Sequence, residues 1–442
     1  MTNLPECNVI GAGLAGSECA LQLAKRGIKV KLFEMRPKKN TPAHKTENFA
    51  EFVCSNSLGS DDITNASGLL KKEMSILGGE LIKIVYETQV PAGGALAIDR
   101  ELFSKTVTER IKSNPNIEII NEEVTKIPDT PTVIASGPLT SPEFTEDIKK
   151  FTKSDYLYFF DAIAPIVEKE SINFDRAFYA NRYDKDEENP AYINCPMNKE
   201  EYEKFYDYLI NAPKIELKEF EKDAKFFESC LPIEVLASRG FNTLCFGPMK
   251  PVGLIDKRTG EENFAVVQLR QDNSAKSLYN LVGFQTNLKW GAQKELLQLI
   301  PGLENVNIVR YGVMHRNTFI NSPKLLNPTL QTREREDLFF AGQISGTEGY
   351  TESIASGLLA GINMAKYLKG EPLLELPKET MLGALTHYIT NSEIVNFQPI
   401  NSNWGIVPSI ELPKKERKNK KLKNELLAKR SIETLENMLI KY

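Results

Sequence analysis

The stretch that most constrains the fold is Asn8–Glu34, in which an apolar strand, a glycine turn (GAGLAG) and a helix follow one another. Gly11 permits the tight turn, Gly13 lets the backbone approach a pyrophosphate, and Gly16 lets the helix pack on the sheet. A second apolar strand ends at Glu34, whose carboxylate is placed to accept hydrogen bonds from an adenosine ribose. An ordinary glycine turn is the alternative, but the two strands, the spacing and the acid favour a dinucleotide site. The candidate cofactor-binding residues here are Gly11, Ala12, Gly13, Leu14, Ala15, Gly16 and Glu34.

Length and composition are typical of a soluble enzyme with several domains. The 442 residues are 41% apolar and 26% charged, and this length allows roughly three domains. No apolar run approaches the roughly 18 residues of a membrane span, and a signal-peptide pattern is missing, so we expect a cytoplasmic protein. Six cysteines without a CxxC pair and only three histidines predict neither a zinc site nor a disulfide framework. The net charge of -4 argues against indiscriminate nucleic-acid coating but leaves room for a local basic patch.

A polar segment, Met35–Asp62, interrupts the strand and helix rhythm after the second strand. A loop that leaves the carboxyl end of a nucleotide-binding strand lies where ligands bind in open α/β sheets. The segment carries Cys54 within a run of serine and asparagine. Free cysteines are more often small buried residues, but this position beside the expected cofactor favours a chemical role.

The pattern changes from about residue 156 to residue 300, where aromatic residues, charges and short strand-like runs predict an inserted second domain. Cys230 lies there, just before Leu231 and Pro232, and the proline ring restrains the residue before it to extended geometry. A thiol at this point can face a cleft or lie buried as a structural residue, and the stretch alone leaves both interpretations open. Cys195 and Cys245 are expected to be structural.

A second organising element, Leu338–Ala365, again shows a strand, a glycine loop and a helix. Since it lies far from the first element, we expect the first sheet to be completed here. A nicotinamide dehydrogenase does not need this second approach to its cofactor, whereas a flavoprotein holds the isoalloxazine against a second helix N-terminus. We therefore predict an α/β fold, namely a discontinuous Rossmann-type FAD-binding domain with an inserted α+β domain. Gly342, Gln343 and Tyr350 are the candidate cofactor-binding residues of this element.

Four segments follow from these patterns. Residues 1–155 and 301–410 are expected to form the two parts of the FAD-binding domain, residues 156–300 the insertion, and residues 411–442 a basic C-terminal helix. Between Lys414 and Arg430 the tail holds nine Lys or Arg against two acids. A solvated helix face is the default interpretation. In an enzyme that acts on RNA, the same basic face would bind the phosphates of the RNA backbone.

Several motifs carry a resemblance to one protein family. They are GAGLAGSE, TPAHKTENFAEFVCSNSL, VPAGGALAIDR, DAIAPIVE, YINCPMNKEEYEKFY, CLPIEV, FGPMKPVGL, QLRQDN, RYGVMHRNTFINSPKLL and AGQISGTEGYTES. With these in register from about Val9 to Asn403, the chain resembles the TrmFO family of folate-dependent uracil-5-methyltransferases. The resemblance implies an FAD enzyme that takes the methylene of 5,10-methylenetetrahydrofolate, draws electrons from NADPH or NADH, and methylates C5 of a uridine. In typical members that uridine lies in the T-loop of tRNA.

The resemblance also implies residue roles, with the one-carbon unit passing through flavin N5 to the uracil. C5 of uracil is a poor nucleophile, so a thiolate that adds at C6 is needed to turn the ring into an enolate. Cys230 matches the cysteine of the family's CLP motif and is expected to make this attack. Cys54 matches the second family cysteine, near the flavin, and is expected to assist, although the sequence leaves the division of roles open. Tyr350 is expected to stack on the folate pterin.

The chain departs from the family pattern where Lys45, Gly59 and Asn287 stand in place of the usual histidine, arginine and histidine. Because these positions flank the cleft motifs, the same chemistry on a 23S ribosomal RNA uridine is an alternative. A paralogue that binds FAD and RNA without turnover is a second alternative. The glycine elements also resemble larger flavoproteins that modify wobble uridines of tRNA, but those carry a further C-terminal helical domain.

Overall fold

The computed structural model describes residues 5–41, 43–153, 157–162, 164–182, 190–215, 231–256, 258, 260, 263–312, 314–394, 397–413 and 419–440. The strands are β1 (Glu6–Ile10), β2 (Lys29–Phe33), β3 (Ser57–Ser60), β4 (Gln89–Val90), β5 (Ala95–Ile98), β6 (Ile117–Ile120), β7 (Thr132–Ile134), β8 (Leu157–Ala162), β9 (Ile166–Glu168), β10 (Phe178–Tyr179), β11 (Tyr192–Met197), β12 (Ala265–Gln271), β13 (Leu278–Leu281), β14 (Ile308–Arg310), β15 (Met314–Phe319) and β16 (Leu338–Phe340). The helices are α1 (Leu14–Lys25), α2 (Ala66–Ile76), α3 (Leu81–Glu87), α4 (Arg100–Lys112), α5 (Pro142–Thr152), α6 (Lys199–Asn211), α7 (Ile233–Ala237), α8 (Thr243–Phe246), α9 (Trp290–Gln298), α10 (Ser322–Leu325), α11 (Tyr350–Leu368), α12 (Met381–Ile389) and α13 (Lys420–Ile440).

A parallel sheet joins the two ends of the cofactor domain. Its strands lie in the order β16, β7, β1, β2, β6, and every neighbouring pair is parallel. Strand β16 follows the whole insertion in sequence, yet it pairs with β7, with Leu338 opposite Thr132 and Phe340 opposite Ile134. The predicted fold, a discontinuous Rossmann-type domain with an inserted domain, is confirmed.

The insertion is built on an antiparallel sheet in the order β10, β11, β12, β13, β9, β14. Alternate residues of β12 (Ala265, Val267 and Leu269) are fully buried in a core that includes side chains of α6 and α9. Cys195 lies in the same core. Strand β14 joins this sheet beyond residue 300, and the boundaries of the four predicted segments stay a prediction.

Helices α1 and α11 pack closely enough that glycine is required between them. A Cβ added at Gly357 would lie 2.2 Å from the carbonyl oxygen of Ala15, and one added at Gly361 would lie 2.9 Å from that of Cys19. This contact fixes the second glycine element on the first. Although α11 is 19 residues long, no helix in the described ranges is both long and apolar enough to cross a membrane.

Three helices meet at one buried carboxylate, Glu73 of α2. It accepts hydrogen bonds from the N–H groups of Met381 and Leu382 at 2.6 and 2.8 Å, and from the hydroxyl of Ser431. The first two donors are the N-terminal N–H groups of α12, which lack intrahelical partners. Glu73 therefore caps α12 from another helix and ties α13 to the cofactor domain.

We expect Glu73→Ala to lower the free energy of unfolding by about 1–3 kcal/mol for each of the two helix N–H groups that lose their acceptor. Ser431→Ala is the matched control, because it removes one donor and leaves both N–H groups paired. Urea unfolding of the two variants measures the difference. Equal stability of Glu73→Ala and the wild-type protein would contradict the capping role.

Candidate cofactor and substrate cleft

A cleft opens between the two glycine elements. Among the predicted residues, Gly11, Gly13, Leu14, Ala15, Glu34, Gly342, Gln343 and Tyr350 line it. Ala12 and Gly16 lie behind the lining, where they shape the turn.

The glycines of the first turn have separate structural roles. Gly11 has a φ of +97°, and a Cβ there would lie 2.6 Å from the carbonyl oxygen of Ala135. A Cβ at Gly16 would lie 1.8 Å from the carbonyl oxygen of Gly11, so a glycine is needed for the helix to approach the turn. A Cβ at Gly13 would meet no atom within 4 Å, and Gly13 lines the cleft. Open space therefore faces the N-terminus of α1, whose N–H groups attract an anion such as a pyrophosphate.

Glu34, at the end of the second strand, is held as a carboxylate. It accepts hydrogen bonds from the N–H of Ala12 at 3.1 Å and from Nε of Arg36 at 3.0 Å. Arg36 is only 2% exposed, and its Nη1 lies 3.5 Å from a carboxylate oxygen of Glu51. Burial alone would raise the pKa of Glu34, but the hydrogen bonds and charge of Arg36 outweigh burial and lower it. A ribose hydroxyl that binds Glu34 must share this carboxylate with Arg36.

The second glycine element abuts the first and carries an aromatic residue to the cleft. Gly342 has a φ of +81°, and a Cβ there would lie 2.8 Å from Cβ of Ala15. Helix α11 begins at Tyr350, whose ring centroid lies 4.2 Å from that of Phe52. The Tyr350 hydroxyl accepts a hydrogen bond of 2.6 Å from the N–H of Cys54. Tyr350 thus joins the second glycine element to the Cys54 segment at the wall of the cleft.

The backbone around Cys54 is fixed from the other side by buried charges. The guanidinium of Arg100 donates to the carbonyl oxygens of Phe52 and Cys54, both at 3.3 Å, and pairs with Asp272 at 2.8 Å. Asn56, two residues further on, accepts a hydrogen bond of 3.1 Å from Arg270. The side chain of Cys54 is half-buried. The position of the backbone at Cys54 is therefore set by contacts with α11, α4 and the inserted sheet.

Cys230, the second predicted cysteine, lies outside the described residues. The chain that follows it is well anchored, because the N–H of Ile233 donates to the carbonyl oxygen of Gln285 at 2.7 Å. Glu234 is buried and accepts a hydrogen bond of 2.7 Å from the N–H of Asn287. Asn287, one of the departures from the family pattern, therefore helps to hold the segment that follows Cys230 through this hydrogen bond to Glu234.

Three titratable side chains that sequence patterns do not reveal line the cleft beside Glu34. Arg36, Glu51 and His44 all line it. Burial and the neighbouring charge of Arg36 lower the pKa of His44 to about 4, so the ring is neutral at pH 7. The Glu-x-Arg spacing places Arg36 within reach of Glu34, but no local pattern shows that the arginine side chain folds back on this carboxylate. Within the part of the chain that the structure describes, no cluster of three His, Cys, Asp or Glu side chains could hold a metal ion.

These residues fit FAD. The open space in front of Gly13 accommodates a pyrophosphate, and the ionised Glu34 is an acceptor for a ribose hydroxyl. The N-terminus of α11 supplies the second helix end that a flavin ring requires. Both helix ends reach one continuous cleft.

The sequence is similar to those of known proteins over nearly its whole length. Residues 6–372 match the family described as glucose inhibited division protein A. "Methylenetetrahydrofolate--tRNA-(uracil-5-)-methyltransferase TrmFO" of Bacillus subtilis (strain 168) is 60% identical over 436 residues, 99% of each chain. The protein of the same name from Bacillus mycoides (strain KBAB4) is 59% identical over 432 residues, 98% of each chain.

Solved structures show the same fold at low sequence identity. The form II crystal structure of Aquifex aeolicus GidA has a TM-score of 0.69 at 18% identity, covering 98% of this chain and 74% of that one. The form I structure has a TM-score of 0.66 at the same identity. The curated relatives, by contrast, match at high identity along nearly their whole length. The chain therefore belongs to the glucose inhibited division protein A family and, within it, to the TrmFO proteins.

Proposed function

We propose that this chain is a folate-dependent tRNA (uracil-5-)-methyltransferase that holds FAD in the cleft. It transfers the methylene of 5,10-methylenetetrahydrofolate to C5 of a uridine in tRNA, and NADPH or NADH supplies the reducing electrons. Relatives of 59–60% identity carry this name along almost their whole length. The observation that carries the proposal is the hydrogen bond from the N–H of Cys54 to the hydroxyl of Tyr350, which ties the segment that carries this cysteine to a residue of the cleft lining.

We assign FAD to the two glycine elements. The N-terminus of α1, with Gly13 in front of it, holds the pyrophosphate, Glu34 binds the ribose, and Gly342 and Gln343 border the flavin end. Ala12 and Gly16 support the turn from behind. When bound, FAD supplies the electrons that finish the methyl group and the N5 position through which the one-carbon unit passes.

We assign the attack on uracil to Cys230. Its thiolate forms a bond to C6, and the electron pair of the C5–C6 double bond moves onto the carbonyl at C4 to give an enolate. C5 of this enolate is nucleophilic enough to bond the one-carbon unit. Loss of the C5 proton breaks the bond between the one-carbon unit and its nitrogen carrier and leaves an exocyclic methylene at C5. A hydride derived from NADPH or NADH converts this methylene to a methyl group, and breakage of the C6–S bond returns an electron pair to the Cys230 sulfur and restores the C5–C6 double bond.

We assign the uptake of the C5 proton to Cys54. Its N–H donates to the hydroxyl of Tyr350 and its carbonyl oxygen accepts from Arg100, so the backbone of Cys54 is fixed next to Tyr350, which lines the cleft. We assign Tyr350 to stacking on the folate pterin, since its ring is supported by Phe52 and the residue lines the cleft.

Transfer of label from methylene-labelled folate tests the function, with NADPH present and two unmodified RNAs side by side. We expect label in a tRNA transcript and none in large-subunit ribosomal RNA. Label only in ribosomal RNA would keep the chemistry and refute the substrate. No label in either RNA would refute the proposed function.

We expect Cys230→Ala to keep bound FAD and to lose methyl transfer by a factor on the order of 10³ or more, because the nucleophile is removed. Cys245→Ala is the matched control: Cys245 lies in the same part of the chain and packs against the core of the insertion. Label transfer and flavin absorbance are measured on both variants. Transfer at the wild-type rate in Cys230→Ala would refute the assignment.

Two glycine variants separate FAD binding from folding. We expect Gly13→Ala to weaken FAD binding about tenfold or more with little change in apoprotein stability, because the added methyl enters the cleft without touching protein. Gly16→Ala should destabilise the apoprotein by more than the ~1–3 kcal/mol of ordinary overpacking, since its Cβ meets a backbone oxygen. FAD titration and thermal unfolding of both apoproteins measure the two effects. Unchanged FAD affinity in Gly13→Ala would contradict the assigned pyrophosphate position.

A further inference from the structure

An exposed aromatic pair lies at one edge of the inserted domain. Trp290, the first residue of α9, is 60% exposed. Its ring stacks on Tyr311 with centroids 5.4 Å apart and planes at 19°. Tryptophan is highly buried on average, so this exposed and stacked ring offers an unusual open aromatic face.

Buried hydrogen bonds hold the pair in place before any ligand arrives. Gln293, one turn along α9 from Trp290, is only 1% exposed. Its side-chain amide accepts from the N–H of Gly312 at 2.8 Å and donates to the carbonyl oxygen of Gly312 at 2.9 Å. It also donates to the carbonyl oxygen of Leu288 at 2.7 Å. The chain beside Tyr311 is thereby fastened to the start of the helix that carries Trp290.

The pair is adjacent to the cleft. Arg310 donates a hydrogen bond of 3.2 Å to the carbonyl oxygen of Ala43, the neighbour of His44 in the cleft wall. Tyr311 follows Arg310 directly, and consecutive Cα atoms are about 3.8 Å apart. Tyr311 therefore lies one residue from the contact that joins the end of β14 to the cleft wall.

Three lysines lie on the chain segments next to the pair. Lys289 precedes Trp290, Lys294 follows it by one helical turn, and Lys214 pairs through its backbone with Leu288. All three lysines are exposed. Among the described residues none of them forms an ion pair. An exposed aromatic pair with exposed lysines on the neighbouring chain suits the two features of single-stranded nucleic acid, a stacking face and a phosphate chain.

We propose that Trp290 and Tyr311 form a stacking platform for an unpaired nucleobase of the RNA substrate, next to the uridine that enters the cleft. The proposal rests on the proposed function and names how that site holds its RNA. A base on which chemistry is done must leave its stack, and its neighbours then lose a stacking partner. The platform replaces that partner, while the lysines contact phosphates.

Binding of an unmodified tRNA transcript to the FAD-loaded full chain tests the platform. We expect Trp290→Ala to weaken binding about 10- to 100-fold and Trp290→Phe to weaken it less, because a smaller aromatic face remains. Tyr179→Ala is the matched control, since Tyr179 also stacks on a neighbour, Phe174, and lies on β10 at the opposite edge of the same sheet. NADPH oxidation without RNA should be equal in all variants.

Fluorescence gives a second readout. The chain has two tryptophans, and Trp404→Phe leaves Trp290 as the sole indole. We expect tRNA binding to quench the fluorescence of this indole.

Unchanged tRNA affinity in Trp290→Ala, or an unquenched Trp290, would overturn the platform even if the wild-type protein methylates tRNA. A dimer that Trp290→Ala dissolves, with tRNA affinity retained, would show instead that the pair is a protein interface. Failure of the wild-type protein to methylate tRNA would refute the proposed function. The measurements of tRNA affinity and of Trp290 quenching would still test the platform in that case.

Discussion

The close packing of α1 against α11 is the contact on which the cleft depends. Gly357 and Gly361 allow the two helix backbones to meet, and Gly342 lets the second glycine loop touch Ala15. Because the two helices belong to distant parts of the chain, this contact closes the discontinuous domain. It also brings Tyr350, at the start of α11, against the Cys54 segment. A larger residue in the interface would separate the two glycine elements and open the site.

Those parts of the fold that depend on neighbouring residues could be predicted from the sequence. The first turn has glycines at the spacing that a tight turn, a close approach to phosphate and helix packing require, and the structure has Gly11, Gly13 and Gly16 in surroundings that match. The second element has the same local order, so the discontinuity of the domain could also be predicted. The pairing of β14 with β9 could not be predicted, since these strands lie far apart in the sequence and no local pattern encodes their contact.

Contacts between distant residues could not be predicted, because no local pattern encodes them. Glu73 looks like an ordinary helix carboxylate, yet its partners include Ser431, at the other end of the chain. Arg36 looks like a solvated cation in a polar loop, but it is buried against Glu34 and Glu51. The stacking of Trp290 on Tyr311 is likewise fixed only when α9 and the chain after β14 come together. Each depends on tertiary packing that a single sequence does not display.

The central claim is that a thiolate of this chain attacks the uracil, and covalent trapping tests it most directly. The FAD-loaded protein is incubated with methylenetetrahydrofolate, NADPH and a tRNA transcript containing 5-fluorouridine, whose fluorine cannot leave as the C5 proton does. Digestion and mass spectrometry then identify the peptide bonded to RNA. We expect an adduct at Cys230. Methyl transfer to normal tRNA without any cysteine adduct to the fluorinated RNA would contradict it.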